Sequence, residues 1–354
     1  MARTSNDWKK KVEFYSEKFE NAFPDIVNEL VGDDEAKPEL REAAARLRKS
    51  IEYNTFGGKR FHGLTVILTV DFLRNGKLSE DEIKKGIYLG WCFEILKAVF
   101  LIADDIMDGS ELRRGRPCWH KKVGLVSINE TYLMEQCIYA LIEKHFKEES
   151  YLFELYKTFH RVSYLLVMGQ ELDMVTSEKI DGELNIDSFT EEKFQTIAKY
   201  KTGYSFFYLP VCLGFHVAKV TDPKIFTEAE TILLELGEYF QVQNDYFDCY
   251  GDPSVTGKIG CDIEDAKCSW FITQALKKSN EEQKEILKAN YGNDDVTSVA
   301  VVKEIYEILE MEKSYFTYKE KSHNSLQNLV QSLGSHFPKE LFQFFVMKVF
   351  GRNT

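Results

Sequence analysis

Apolar side chains recur at three- and four-residue spacing along most of the chain, the pattern of helices that bury one face. It predicts helices over residues 8–31, 38–53, 80–108, 129–146, 150–177, 190–216, 225–250, 262–278 and 300–322. Glycine and proline clusters at Gly57–Gly58, Gly115 to Pro117 and Gly251 to Pro253 mark where helices stop, and each lies beside a charged motif. Alternating apolar and polar runs joined by Asn-Gly or Asp-Gly turns, the mark of hairpins, are not read. With no linker, low-complexity stretch or internal repeat, the expectation is an all-α protein with one domain over 1–354.

Composition narrows the function more than the fold. The 354 residues are 44% apolar and 29% charged, a globular profile with a deep core. With 57 acidic against 45 basic side chains the net charge is -12, which repels nucleic acid and anionic lipid. No nucleic-acid partner and no integral membrane segment are expected, and an anionic substrate must meet a local cluster of positive groups. Seven scattered cysteines without CxxC spacing argue against a zinc site or disulfide frame and for a reducing compartment. The opening MARTSNDWKKKVEFYSEKFE lacks an apolar signal run and already carries acids, so a cytoplasmic location is expected.

The strongest chemical signal is LIADDIMDGSELRRGRP, where Asp104, Asp105 and Asp108 follow an unbroken apolar stretch. Positions i and i+4 share a helix face, so Asp104 and Asp108 point the same way and repel each other unless a cation lies between them. Hard oxygen ligands favour magnesium or manganese over zinc, with waters and substrate phosphate completing the shell. Arg113 and Arg114, held by the Gly115–Pro117 break, supply the guanidinium flank a diphosphate needs. A second acidic stretch, ELGEYFQVQNDYFDCYGDP, repeats Asn244, Asp248 and Asp252 every four residues, with Asp245 beside them. It is followed by Lys258 on a glycine-flanked loop and by Lys267. Lys59 follows the glycine pair, and Lys201 and Thr202 stand inside an aromatic helix, where a lysine is costly without an anion partner.

In their order, GGKRFHG, DDIMDGSELRRGRPCWH, GQELDM, KYKTGYSFFYLP and QNDYFDCYGDPSVTGKIGCDIEDAKCSW resemble the motifs of the trans-isoprenyl diphosphate synthases, over nearly the whole chain and most closely those of its farnesyl-forming members. The resemblance implies the isoprenoid synthase fold, a single helical bundle around a deep central cavity with the two acidic motifs facing each other, and a homodimer. It implies three magnesium ions, with manganese or cobalt as substitutes, held at Asp104, Asp105, Asp108, Asn244 and Asp248. Arg113, Lys201 and Lys258 match residues that grip the allylic diphosphate, and Lys267 lies in the same positive wall. Thr202 and Gln241 match residues facing the developing carbocation. Lys59 and Arg114 match the pocket of the second substrate, isopentenyl diphosphate.

Departures from the family pattern cluster at that second pocket. His62 stands where the elongating enzymes carry arginine, Lys97 where they carry glutamine, and the basic C-terminal tail is reduced to FGRNT with only Arg352 left. Asn244 replaces the first aspartate of the second motif, as in asparagine-led terpene cyclases, and Val99 before Phe100 opens the pocket floor. The leading expectation is therefore a terpene synthase that ionises a prenyl diphosphate, farnesyl diphosphate, and lets the cation rearrange or cyclise. The alternative is a chain-elongating farnesyl or geranylgeranyl diphosphate synthase in which Lys97 supplies the charge His62 lost. A catalytically silent subunit is disfavoured, because Asp104, Asp105, Asp108 and both arginines are present.

Overall fold

The computed structural model describes residues 5–55, 57–58, 60–256, 260–334 and 337–352. Among them the helices are α1 (Ser5–Ala36), α2 (Arg41–Thr55), α3 (Phe61–Leu73), α4 (Glu80–Met107), α5 (Trp119–Val123), α6 (Ser127–Phe146), α7 (Leu152–Ser177), α8 (Glu191–Ile197), α9 (Leu209–Val217), α10 (Pro223–Tyr250), α11 (Pro253–Thr256), α12 (Trp270–Lys278), α13 (Glu281–Asn290), α14 (Val296–Ile308), α15 (Met311–Ser332) and α16 (Lys339–Phe350). A π-helical segment, Ala198–Tyr208, joins α8 to α9. The described chain forms two compact units, Met1–His160 with Leu209–Asp222, and Arg161–Tyr208 with Pro223–Thr354.

In the first unit α3 and α4 are the core helices. Ser79 opens α4 with a reciprocal capping box to Glu82, and three acids in the first turn complement the helix dipole. Trp91 is fully buried, stacks on Phe19 at 4.6 Å and Phe23 at 4.3 Å, and donates its indole N–H to the Phe19 carbonyl at 2.8 Å. Burying a side chain of this size contributes about 2–3 kcal/mol. By length and composition α4 is apolar enough to cross a membrane, but 78% of its most apolar window is buried inside the protein, as in a core helix.

In the second unit α10 packs against the π-helical segment, and Val242, Trp270, Phe271, Tyr306 and Tyr315 fill the core around them. A Cβ on Gly237 would lie 2.5 Å from the Gly203 Cα, so the two backbones touch where no side chain fits. A Cβ on Gly169 of α7 would meet the Lys201 backbone nitrogen at 2.4 Å, the same close approach from the other side.

Three sequence expectations are corrected. Residues 262–269 are not helical, because the buried carboxylates of Asp248 and Asp245 take the backbone N–H groups of Asp262 and Trp270, so α12 starts only at Trp270. The stretch 300–322 breaks at Glu310, whose φ of 50° ends the right-handed helix. Two short hairpins were missed: β1 (Leu112–Arg113) with β2 (Arg116–Pro117), and β3 (Lys179–Ile180) with β4 (Glu183–Leu184). The second turns on Asp181-Gly182, both at positive φ, a signal present in the sequence. Helix α3 was not read because it is apolar on nearly every side and carries no period.

Candidate active site

Asp104 and Asp108 stand at the C-terminal end of α4, where Asp108 is the cap and its N–H bonds the Asp104 carbonyl at 2.8 Å. The last turn holds no basic residue, so two carboxylates add to the negative end of the helix dipole. Only cations relieve that potential. Arg113 supplies one: Nε and Nη2 donate to Asp105 Oδ1 at 3.0 and 2.5 Å, and Nη2 also reaches Asp104 Oδ2 at 3.3 Å. Asp105, grouped by sequence with the metal ligands, is 4% exposed and is the anchor of Arg113. Burial opposes the Arg113 charge, but Asp105 and Asp104 outweigh it and raise its basicity above the ordinary value. Burial and the Asp105 carboxylate together push the Cys118 thiol up to about 12.

The hairpin explains how adjacent arginines serve different places. Arg114 and Gly115 both take positive φ in the two-residue turn between β1 and β2. Arg113 on β1 is thereby directed to Asp105, while Arg114 Nη1 donates to the Gly57 carbonyl at 3.3 Å. Burial lowers the Arg114 basicity.

Beside it lies a buried charge cluster that the motifs alone did not reveal. Glu94 is 1% exposed, accepts the Gly63 N–H at 3.1 Å, pairs with Lys97 and has Arg60 at 3.6 Å. Burial would raise its carboxyl, but Lys97, Arg60 and His62 together hold it below the ordinary value. The Lys97 ammonium is pushed down by burial, against the pull of Glu94. Arg60 also reaches Glu20 at 2.9 Å and lies over Trp91 at 4.9 Å. Lys97, expected to face substrate, is thus held by Glu94. Arg60 lies inside the quoted GGKRFHG, and Glu94 was detectable as a lone acid in an apolar run. Lys59 lies outside the described residues.

In the second unit Asp173 of α7 is 5% exposed and lies 2.7 Å from Lys201 Nζ and 3.6 Å from Lys267 Nζ. Two cations share one carboxylate. The Gly169 and Gly237 approaches set this geometry, since each brings one helix face against the π-helical turn that carries Lys201 and Thr202. Thr202 Oγ1 donates to Gln241 Oε1 at 2.8 Å, Gln241 Nε2 donates to Asp245 Oδ1 at 2.9 Å, and Asp245 Oδ2 takes the Trp270 N–H at 2.7 Å. Asp248 Oδ1 accepts the Asp262 N–H at 2.9 Å, and Asn244 Oδ1 accepts from Arg352 at 2.8 Å. Lys258 lies outside the described residues. Asp173 was hidden in the quoted GQELDM because its partners are distant in sequence.

Among the described residues no three His, Cys, Asp or Glu side chains converge to hold a metal unaided. A hard divalent cation that keeps waters and takes substrate phosphate oxygens needs only one or two carboxylates, and the Asp104/Asp108 pair at a helix C-terminus fits it. Carboxylate pairs beside guanidinium and ammonium clusters are the equipment of an enzyme that handles diphosphates.

The comparisons agree. The family profile described as polyprenyl synthetase matches residues 44–309. Farnesyl pyrophosphate synthase of Bos taurus is 39% identical over 349 residues, covering 97% of this chain and 98% of its own. The Saccharomyces cerevisiae enzyme of that name is 39% identical over 348 residues, covering 96% and 98%. A solved T. brucei farnesyl diphosphate synthase complexed with risedronate superposes with a TM-score of 0.86 at 30% identity, covering 96% of this chain and 100% of that one. The chain belongs to the polyprenyl synthetase family, the trans-isoprenyl diphosphate synthases, and is an all-α enzyme of the isoprenoid synthase fold. These likenesses favour the chain-elongating alternative over the terpene-forming reading drawn from His62, Lys97, Asn244 and Val99.

Proposed function

We propose that this enzyme condenses isopentenyl diphosphate with an allylic diphosphate to make farnesyl diphosphate. The observation that carries this reading is the cluster around Glu94. Two carboxylates, Glu94 and Glu20, face Lys97 and Arg60, with Arg114 acting on the same cluster, which leaves one net positive charge beside the glycine pair. That net charge, carried by Arg114, keeps the second-diphosphate pocket positive although His62 stands where the family carries arginine. Likeness to farnesyl pyrophosphate synthases over nearly the whole of both chains supports the same choice.

The chemistry runs by loss of diphosphate from the allylic substrate with the bonding electron pair, attack of the isopentenyl double bond on the carbon left behind, and loss of one proton from the adduct. Arg113, Lys201 and Lys267 stabilise the departing charge, and Thr202 and Gln241 form the hydrogen-bonded wall beside the developing cation. Magnesium, three ions as in the family pattern, would bind at Asp104, Asp108, Asn244 and Asp248 and neutralise the leaving group. A homodimer is supported by the exposed apolar run Leu125, Val126, Ile128, Tyr132 and Leu133. A cytoplasmic location is supported by seven cysteines that form no disulfide.

Product analysis decides the reading. Isopentenyl plus dimethylallyl diphosphate with magnesium should give a C15 diphosphate, and farnesyl diphosphate alone should be left intact. A hydrocarbon or terpene alcohol from farnesyl diphosphate alone, with no coupling of the five-carbon units, would overturn it; a C20 product would change the assigned chain length.

A further inference from the structure

A small cavity lies behind the second acidic motif, on the side of α10 that faces α14. It measures about 10 Å³, and Asp248 and Cys249 of α10, Asp262 of the following loop, Phe271 of α12, and Lys303 and Tyr306 of α14 line it. Tyr306 is 1% exposed, and its ring centre lies 6.0 Å from that of Phe271. Its buried hydroxyl has no hydrogen-bond partner among the described residues. Burial raises its pKa well above the ordinary value, so the group is a protonated donor at any working pH. A buried donor left unpaired is costly, and a polar-walled cavity of about 10–15 Å³ takes up one water.

Asp248 is the side chain that gains from such a water. Its Oδ1 accepts the Asp262 N–H at 2.9 Å. A Cβ on Gly260 would collide with the Asp248 carbonyl and lie 2.8 Å from Oδ1, so the loop presses on this residue where no side chain fits. The loop thus fixes Asp248 from one side, and what fills the cavity fixes it from behind. We propose that the cavity holds one water, which accepts the Tyr306 O–H and donates to the Asp248 carboxylate, and that Tyr306 is thereby a positioning residue for Asp248 as a metal ligand. A buried water needs about two to four polar partners, and Tyr306, Asp248 and Asp262 supply them, while Cys249 and Phe271 close the apolar walls. Partners that orient a ligating carboxylate raise metal affinity by holding it in the geometry the ion demands. The metal half of this inference rests on the proposed reading of the enzyme as a metal-dependent diphosphate enzyme; the water does not.

Tyr306→Phe removes the hydroxyl and keeps the ring. The variant should melt about 1–3 °C lower, because the water loses a partner and Asp248 its support. The Asp262 amide, which bonds Asp248, should exchange hydrogen about three- to tenfold faster. Calorimetry on the full chain with magnesium and inorganic diphosphate, without turnover, should show the magnesium midpoint raised about tenfold. A crystal structure of the metal-free protein should show one ordered water within hydrogen-bond reach of both Tyr306 Oη and Asp248. A higher melting temperature in Tyr306→Phe, the mark of an unpaired hydroxyl removed, or no water beside Tyr306, would overturn the inference. Lower melting with an unmoved magnesium midpoint and an unmoved Asp262 amide would make Tyr306 a packing residue alone and overturn its positioning role. Failure of the unaltered protein to bind magnesium diphosphate would overturn the diphosphate reading and the metal half with it, while the melting, exchange and crystallographic results decide the water separately.

Discussion

Asp173 holds two lysines at once, Lys201 at 2.7 Å and Lys267 at 3.6 Å, so a single buried carboxylate fixes most of the positive charge that the second unit offers a diphosphate. Neutralising it by Asp173→Asn frees one net positive charge and loosens both side chains. Inorganic diphosphate should then inhibit more strongly, by about three- to tenfold, while kcat falls because the lysines are no longer aimed. Inhibition constants and kcat measured together check this. Weaker inhibition would mean that the lysines need Asp173 more for placement than they lose to it in charge.

Neighbouring aspartates of the first motif should separate cleanly. Asp105→Asn removes the carboxylate that Arg113 grips through two nitrogens and should cost about 1–2 kcal/mol of stability, since that guanidinium is partly solvated. Asp104→Ala relieves repulsion at a helix C-terminus and should leave the melting temperature level or slightly higher while turnover is lost. Equal stability loss in both variants would remove the distinction drawn between anchor and ligand.

Gly237→Ala tests the backbone contact that brings Thr202 to Gln241. The added methyl would lie 2.5 Å from the Gly203 Cα, so α10 must move away. A loss of about 1–3 kcal/mol is expected, with a fall in kcat larger than any change in KM for either diphosphate. Wild-type kcat in a folded variant would show that the Thr202–Gln241 bond is dispensable.

His216, buried in α9 with Thr158 Oγ1 at 3.0 Å, gives a pH signature in the first unit. Burial, helped by Lys157 and opposed by Glu154, lowers its pKa from 6.5 to about 4. The unfolded chain therefore takes up a proton at pH values where the native protein refuses it. The contribution is fully present above the unfolded value of 6.5 and is lost as pH falls toward about 4. It amounts to on the order of 3 kcal/mol. His216→Gln keeps a partner for Thr158 and removes the titration, so urea unfolding of the two proteins between pH 7 and 4 should give curves of different slope. Parallel curves would contradict the assignment.

What the sequence disclosed follows from the range of each interaction. Asp104 and Asp108 were legible because a helical repeat places both on one face and their setting is local. Lys201 was legible as an expensive charge in an aromatic helix, but its counter-charge was not, since Asp173 reaches it across 28 positions of chain. The same holds for Arg60 and Glu94. The departures at His62 and Lys97, counted singly, suggested a spoiled anion pocket; only the packing of α3 on α4 brings Arg60 and Lys97 to one carboxylate. The false helix over 262–269 has the opposite cause. Its local pattern is helical, and two carboxylates on α10 capture its backbone N–H groups instead.

The π-helical segment Ala198–Tyr208 carries a historical implication. An α-helix absorbs one inserted residue by widening a turn, and the widened turn persists only where it gains something the regular form lacks. Removing one residue from this stretch would let a single α-helix run from Glu191 to Val217, and would swing Lys201 and Thr202 about a quarter-turn away from Asp173 and Gln241. The enzyme's grip on its leaving group would then trace to one extra residue, and the shortened chain should lose stability as well as almost all catalysis, because the same rotation carries Gly203 away from Gly237 and brings side chains to a contact where only glycine fits.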